Sequence, residues 1–233
     1  MERFFTEAFE KMNDTDRESF YRTIFMQDTS EYAAKLREAY YRTKLKHMGE
    51  NVRIGAGVKI VNPEYISLGD NVTICDGVTL IARGPGGGPD GEPCGITIGS
   101  HVTLNDRVYL DTERADEGYI VIGDHVYIGT GTTLFGHVGL EIGEHVLMAQ
   151  NITLTPYSHI FEDPARPIIE QGGHTRKVTI GRDVYVGMDV TIMYTGDIGE
   201  GSVIGSGSVV VKPIPPYSVA VGCPAKVIRK RGE

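Results

Sequence analysis

The chain has 233 residues, of which 40% are hydrophobic and 23% charged, a composition that supports a packed core and excludes intrinsic disorder. Its net charge of −8, from 23 Lys and Arg against 31 Asp and Glu, has the wrong sign for holding nucleic acid by its phosphates. No apolar run reaches the ~18 residues of a membrane span, and the opening MERFFTEAFEKMNDTD is too acidic and interrupted for a secretory leader, so a cytoplasmic location without membrane insertion is expected.

Residues 1–48 carry helical spacing, as in Phe20 and Ile24, then Tyr32, Leu36, Ala39 and Tyr40. Asn13-Asp14-Thr15 and Asp28-Thr29-Ser30 supply N-caps. Two or three helices packed on one end of the following domain are predicted.

Beyond them the period becomes six. Aliphatic residues recur at Ile54 and Ile60; at Leu68, Ile74 and Leu80; at Ile98, Leu104 and Leu110; at Ile122, Ile128 and Leu134; at Ile142, Met148 and Leu154. The series then runs unbroken through Ile180, Val186, Ile192, Ile198, Ile204 and Val210. Glycine follows ten of these twenty positions, and a second aliphatic usually precedes by two, as at Val52, Val102 and Val184. Each unit, V-x-I-G-x-x, reads as a short strand and a corner. One unit cannot bury its apolar side alone, whereas stacked coils can, so the expected fold is a mainly β solenoid. With three units per triangular coil, six or seven coils ~4.8 Å apart make a prism about 30 Å long.

This domain spans 49–216, with 217–233 as a tail packing on it. Steps of eight from Ile60 to Leu68 and from Leu134 to Ile142 mark corner bulges. Longer loops interrupt it at 82–95, rich in Gly and Pro, at 111–119 and at 155–177. Loops ejected from a regular scaffold disproportionately carry function.

His101, His125 and His145 share a corner slot with Asn51, Asn71, Asp183 and Gly201, which makes them solvent-facing corner residues. His137, His159 and His174 lie off the repeat, and each is a candidate general base near neutral pH. Cys75, Cys94 and Cys223 form no CxxC pair and suggest neither a disulfide framework nor a zinc ribbon.

The stretch 178–231, VTIGRDVYVGMDVTIMYTGDIGEGSVIGSGSVVVKPIPPYSVAVGCPAKVIRKR, resembles the C-terminal signature of the hexapeptide-repeat acyltransferases, most of all the galactoside, maltose and polysaccharide O-acetyltransferases. The resemblance covers the solenoid from about Asn51. It implies a left-handed parallel β-helix, and a homotrimer with active sites between subunits. The implied reaction is acetyl transfer from acetyl-CoA, without a metal, to a sugar hydroxyl in a surface polysaccharide, its precursor or a related glycoside. The base then falls at His159, shortly after Asn151-Ile152-Thr153-Leu154. Acetyl-CoA contacts carry over to Tyr185, Met188, Ser206, Lys212, Lys226 and Arg229; Gly187 is added as a cofactor contact because a turn N–H, at Gly187 or Met188, is a candidate donor to the tetrahedral oxyanion. Gly129 and His137 stand where galactoside enzymes carry Asn and Asp, so an acceptor other than a galactoside is expected, contacted by Gly129, His137 and Glu170. Tyr185 stands where Trp is usual.

Three other readings compete. One moves the acetyl group to an amine of an amino sugar or xenobiotic. A γ-class carbonic anhydrase would need two closely spaced His ligands, yet His137 and His145 are eight apart. A non-catalytic solenoid would need neither His159 nor the basic C-terminal cluster.

Overall fold

The computed structural model describes residues 13–84 and 95–233; expectations placed on 1–12 and on 85–94, Cys94 among them, lie outside the described residues. Two helices open the described chain, α1 (Asp14–Gln27) and α2 (Glu31–Arg42). Asn13 Oδ1 accepts the Asp16 N–H at 2.8 Å and Ser30 Oγ the Ala33 N–H at 3.2 Å, caps worth about 1 kcal/mol each. α2 buries Ala33, Ala34, Arg37 and Tyr41 and packs on the strand Arg53–Ile54 at the end of the solenoid. Arg37, 2% exposed, donates from Nε to the Ile54 carbonyl at 2.8 Å and from Nη1 to the carbonyls of Phe25 and Asp28. One buried guanidinium thus ties the C-terminal end of α1 to the first coil.

The solenoid is a left-handed parallel β-helix of three sheets. The twenty six-spaced aliphatics form its inner ladders. In the first sheet Leu68, Ile98, Ile122, Ile142, Ile180 and Ile198 stack in register. The second aligns Ile54, Ile74, Leu104, Ile128, Met148, Val186 and Ile204. The third aligns Ile60, Leu80, Leu110, Leu134, Leu154, Ile192 and Val210. All but Ile60, half-buried on the first coil, are at most 2% exposed, and each contributes roughly 1.5–3 kcal/mol of burial. The first ladder extends at both ends, to Met48 and to Ile214. Ser218–Val221 continues the second sheet and pairs antiparallel with the last strand, Lys226–Lys230.

The glycine after each aliphatic proves to be a packing residue. Its φ lies outside the left-handed region at all ten positions, but a Cβ would strike the neighbouring coil, as at Gly99 (2.8 Å from the Gly123 carbonyl carbon) and Gly181 (2.5 Å from the Glu200 nitrogen). The left-handed residue of each corner sits two further on. Asn51, Asn71, His101, His125, His145 and Asp183 all have φ between 54° and 59°, a conformation that Asn, Asp and His tolerate better than most. The three histidines there are exposed and stack face to face, ring centroids 4.7 and 4.8 Å apart.

Every break in the period leaves the prism at one corner, after a third-sheet strand and before a first-sheet strand. That edge carries the insertions of five successive coils.

Candidate functional site

Along this edge the loops form a connected row of side chains. Its root is Asp111, 0% exposed at the end of Tyr109–Asp111. Arg83 grips both carboxylate oxygens at 2.9 and 2.6 Å, the Tyr109 hydroxyl donates to Oδ2 at 2.9 Å, and the Glu113 N–H to Oδ1 at 2.8 Å. Burial alone would raise the Asp111 pKa, but the hydrogen bonds from Arg83, Glu113 and Tyr109 outweigh it and hold the carboxyl below its ordinary value. Burial, and then Asp111 itself, raises Glu113.

The row continues through rings. Tyr109 meets Phe135 edge-on at 6.1 Å, Phe135 meets His137 at 6.3 Å, and His137 stacks on Tyr157 at 5.1 Å and 22°. His137 is half-buried at the corner bulge; burial, and then the Arg114 guanidinium, lowers its pKa against the pull of Asp111, which favours the neutral ring.

The longest insertion opens with an unanticipated hairpin, Tyr157–His159 paired antiparallel with Gly173–Thr175. Alternation puts Tyr157 and His159 on one face and Ser158 on the other; His174, opposite Ser158, stacks on Tyr194 at 6.4 Å, apart from His159. The Tyr157 hydroxyl lies 3.3 Å from His159 Nδ1, and the His159 ring is exposed. Beyond the hairpin, Gln171 closes the loop through the Asp163 N–H and the carbonyls of Asp163 and Arg166. Glu170, on the exposed turn Ile168–Glu170, uses its carbonyl to accept from Arg166. Arg176 pairs with Asp197, which also accepts the Thr179 N–H at 2.9 Å and pins the loop to the next coil.

Gly129, expected at the acceptor, is buried at a different corner from the insertions, where a Cβ would lie 2.4 Å from the Ala149 carbonyl oxygen, so the absence of a side chain there serves coil packing. The Gly187 N–H donates to the Ile204 carbonyl at 2.8 Å and the Met188 N–H to Ser206 Oγ at 3.1 Å, so within one chain both amides expected as oxyanion donors have partners.

Tyr185, Met188 and Ser206 lie on the sixth and seventh coils; Tyr185 is 40% and Met188 47% exposed. Lys212 follows the last third-sheet strand, while Lys226 and Arg229 lie on the final strand, opposite Val221 and Val219. All three cations are exposed and, among the described residues, carry no ion pair. Also among the described residues, no three His, Cys, Asp or Glu side chains are grouped to hold a metal ion, and no helix is long and apolar enough to cross a membrane.

A family model described as the hexapeptide repeat of succinyl-transferase matches residues 47–82 and 177–212. A probable acetyltransferase of Mycobacterium tuberculosis is 36% identical over 74% of this chain and 54% of its own length. A galactoside O-acetyltransferase of Escherichia coli is 35% identical over 58% of this chain and 63% of its own. A probable macrolide acetyltransferase of Lysinibacillus sphaericus is 35% identical over 51% of this chain and 67% of its own. The chain thus spans between about half and two thirds of these relatives. Among solved structures, a mutant N-acyltransferase from Bacillus cereus, in complex with dTDP and coenzyme A, shares the fold at a TM-score of 0.59 and 22% identity, over 84% of this chain and 89% of that one. With its repeat matched at both ends of the solenoid and its relatives named as acetyltransferases, the chain belongs to the hexapeptide-repeat acyltransferases.

Proposed function

We propose that the protein is a cytoplasmic, homotrimeric O-acetyltransferase that moves an acetyl group from acetyl-CoA to a sugar hydroxyl, with His159 as the general base. The observation that carries this reading is the placement of His159: an exposed imidazole on a hairpin, with Nδ1 beside a tyrosine hydroxyl, on the edge that collects every insertion.

A sugar hydroxyl is a weak nucleophile, and the acyl thioester supplies an activated carbonyl. As the acceptor oxygen bonds to the carbonyl carbon, His159 takes its proton; as the carbon–sulfur bond breaks, the imidazole returns that proton to the departing sulfur. Tyr185 and Met188, half-exposed beside Ser206, offer apolar surface to the pantetheine arm. Lys212, Lys226 and Arg229, exposed and without an ion pair among the described residues, are suited to phosphates on an otherwise acidic chain. Among the described contacts none joins His159 to this cluster, which fits a site closed by the neighbouring subunit. His137 and Glu170, on the His159 side, are available to the acceptor.

The test is calorimetric titration with CoA and acetyl-CoA, followed by turnover of acetyl-CoA against a panel of methyl pyranosides. One micromolar site per chain is expected, weakened in a Lys212→Ala/Arg229→Ala variant. His159→Ala is expected to lower turnover by about 10²–10⁴-fold while leaving CoA binding intact. Absence of CoA binding by folded trimer, or an active His159→Ala variant, refutes the respective part.

A further inference from the structure

Tyr157 is held more firmly than an exposed hairpin requires. Its ring fills the space over Gly173, where a Cβ would lie 2.2 Å from Cζ and 2.3 Å from the hydroxyl oxygen. The same ring stacks on His137 at 5.1 Å and meets His159 edge-on at 4.8 Å. Its hydroxyl is therefore a fixed point 3.3 Å from His159 Nδ1. Two insertions converge on it: the bulge gives His137, and the long loop gives Tyr157, His159 and Gly173; burial, and then Arg114 of the acidic insert, lowers the His137 pKa.

From this clamp we infer that Tyr157 is the positioning residue of the proposed reaction: its hydroxyl oxygen accepts the His159 Nδ1–H and so leaves Nε2 as the unprotonated, proton-accepting nitrogen. The inference rests on His159 being the base. A neutral imidazole carries one ring proton, and only the nitrogen without it can receive another. Were Tyr157 to donate to Nδ1, the proton would sit on Nε2 and the lone pair would be spent against the tyrosine. With Tyr157 as acceptor, the lone pair faces away from the clamp, and Tyr157 keeps its own proton throughout. Gly173 follows as a requirement of the device, because any side chain there would displace the ring. His137 has a part as well, since its half-buried ring gives Tyr157 a stacking partner and its burial disfavours a charge beside the base.

The test has two arms. In ¹⁵N-histidine NMR spectra of the full-length protein, His159 is expected to show a protonated Nδ1 and an unprotonated Nε2, assigned by loss of its signals in His159→Ala. Tyr157→Phe keeps the ring and its stacking, removes only the hydroxyl, and is expected to populate the Nε2–H tautomer. With acetyl-CoA and whichever methyl pyranoside turns over, Tyr157→Phe should lower kcat about tenfold and leave KM for both substrates unchanged. A wild-type His159 protonated on Nε2 overturns the inference without any variant. So does a Tyr157→Phe enzyme with unchanged tautomer and kcat, or one whose KM alone rises, which would make Tyr157 an acceptor contact. Failure of the underlying reading looks different, for then His159→Ala itself remains active.

Discussion

At the scale of single residues, Asp111 is the group whose removal is felt furthest. Its carboxylate is fully buried and satisfied by a guanidinium, a phenol and an amide, so it fixes Arg83, Tyr109 and the start of the acidic insert at once. Because its folded pKa lies below that of an unfolded aspartate, near 4, its stabilisation is fully present above about pH 4 and is lost as the pH falls through the lower folded value. Asp111→Asn is expected to cost about 2 kcal/mol at neutral pH, discounted for the half-exposed Arg83, and to flatten the loss of stability in acid. Urea denaturation at a series of pH values measures both, and a variant with the wild-type acid slope would show that the carboxylate is not what acid titrates. None of this was readable from the chain: Arg83 and Asp111 flank two different insertions and meet only because both insertions leave by one corner.

At the scale of the element, the repeating corner separates two uses of glycine that a sequence shows as one. Gly123 has ordinary φ but faces the Glu144 nitrogen, 2.8 Å from where a Cβ would stand, whereas Gly207 has φ +71° and open space around it. Gly123→Ala must push two coils apart and is expected to cost about 1–3 kcal/mol, while Gly207→Ala meets only the left-handed penalty of about 1 kcal/mol. Equal melting temperatures for the two variants would contradict this account of the I-G pair. The period itself was legible because each coil repeats the same burial problem, and all twenty aliphatics fell on the inner ladders. Positions where it lapses were legible only afterwards. Thr132, Ser202 and Ser208 replace the first aliphatic of their units, are fully buried, and direct their hydroxyls to the Ala149, Pro215 and Gly205 carbonyls. The hairpin of Tyr157–His159 with Gly173–Thr175 has no sequence signal either, since two three-residue strands separated by a long loop carry no period. So His159, placed by family resemblance, lacked its partner: Tyr157 becomes visible beside it only when the strands pair.

At the scale of the whole molecule, the prism distributes the parts of the proposed site over different faces. His159 projects from the corner between the third and first sheets, while Tyr185 points outward from the second. On that second face Tyr127, Leu147 and Tyr185 are consecutive rungs, each 39–45% exposed, and form an apolar stripe that a lone chain leaves in water. In the proposed homotrimer, a neighbouring chain on this face would cover the stripe, and a site between subunits would draw Tyr185 and His159 from different chains. Leu147→Glu places a charge in the middle of the stripe without touching the core, because the inward rung there is Met148. On the proposed homotrimer, the parent is expected to sediment as three subunits and the variant as one folded subunit with the wild-type circular dichroism spectrum, its turnover lost although His159 and Tyr157 are unaltered. A Leu147→Glu protein that remains trimeric would move the interface to another face, and an active monomer would mean that one chain suffices to unite His159 with the thioester.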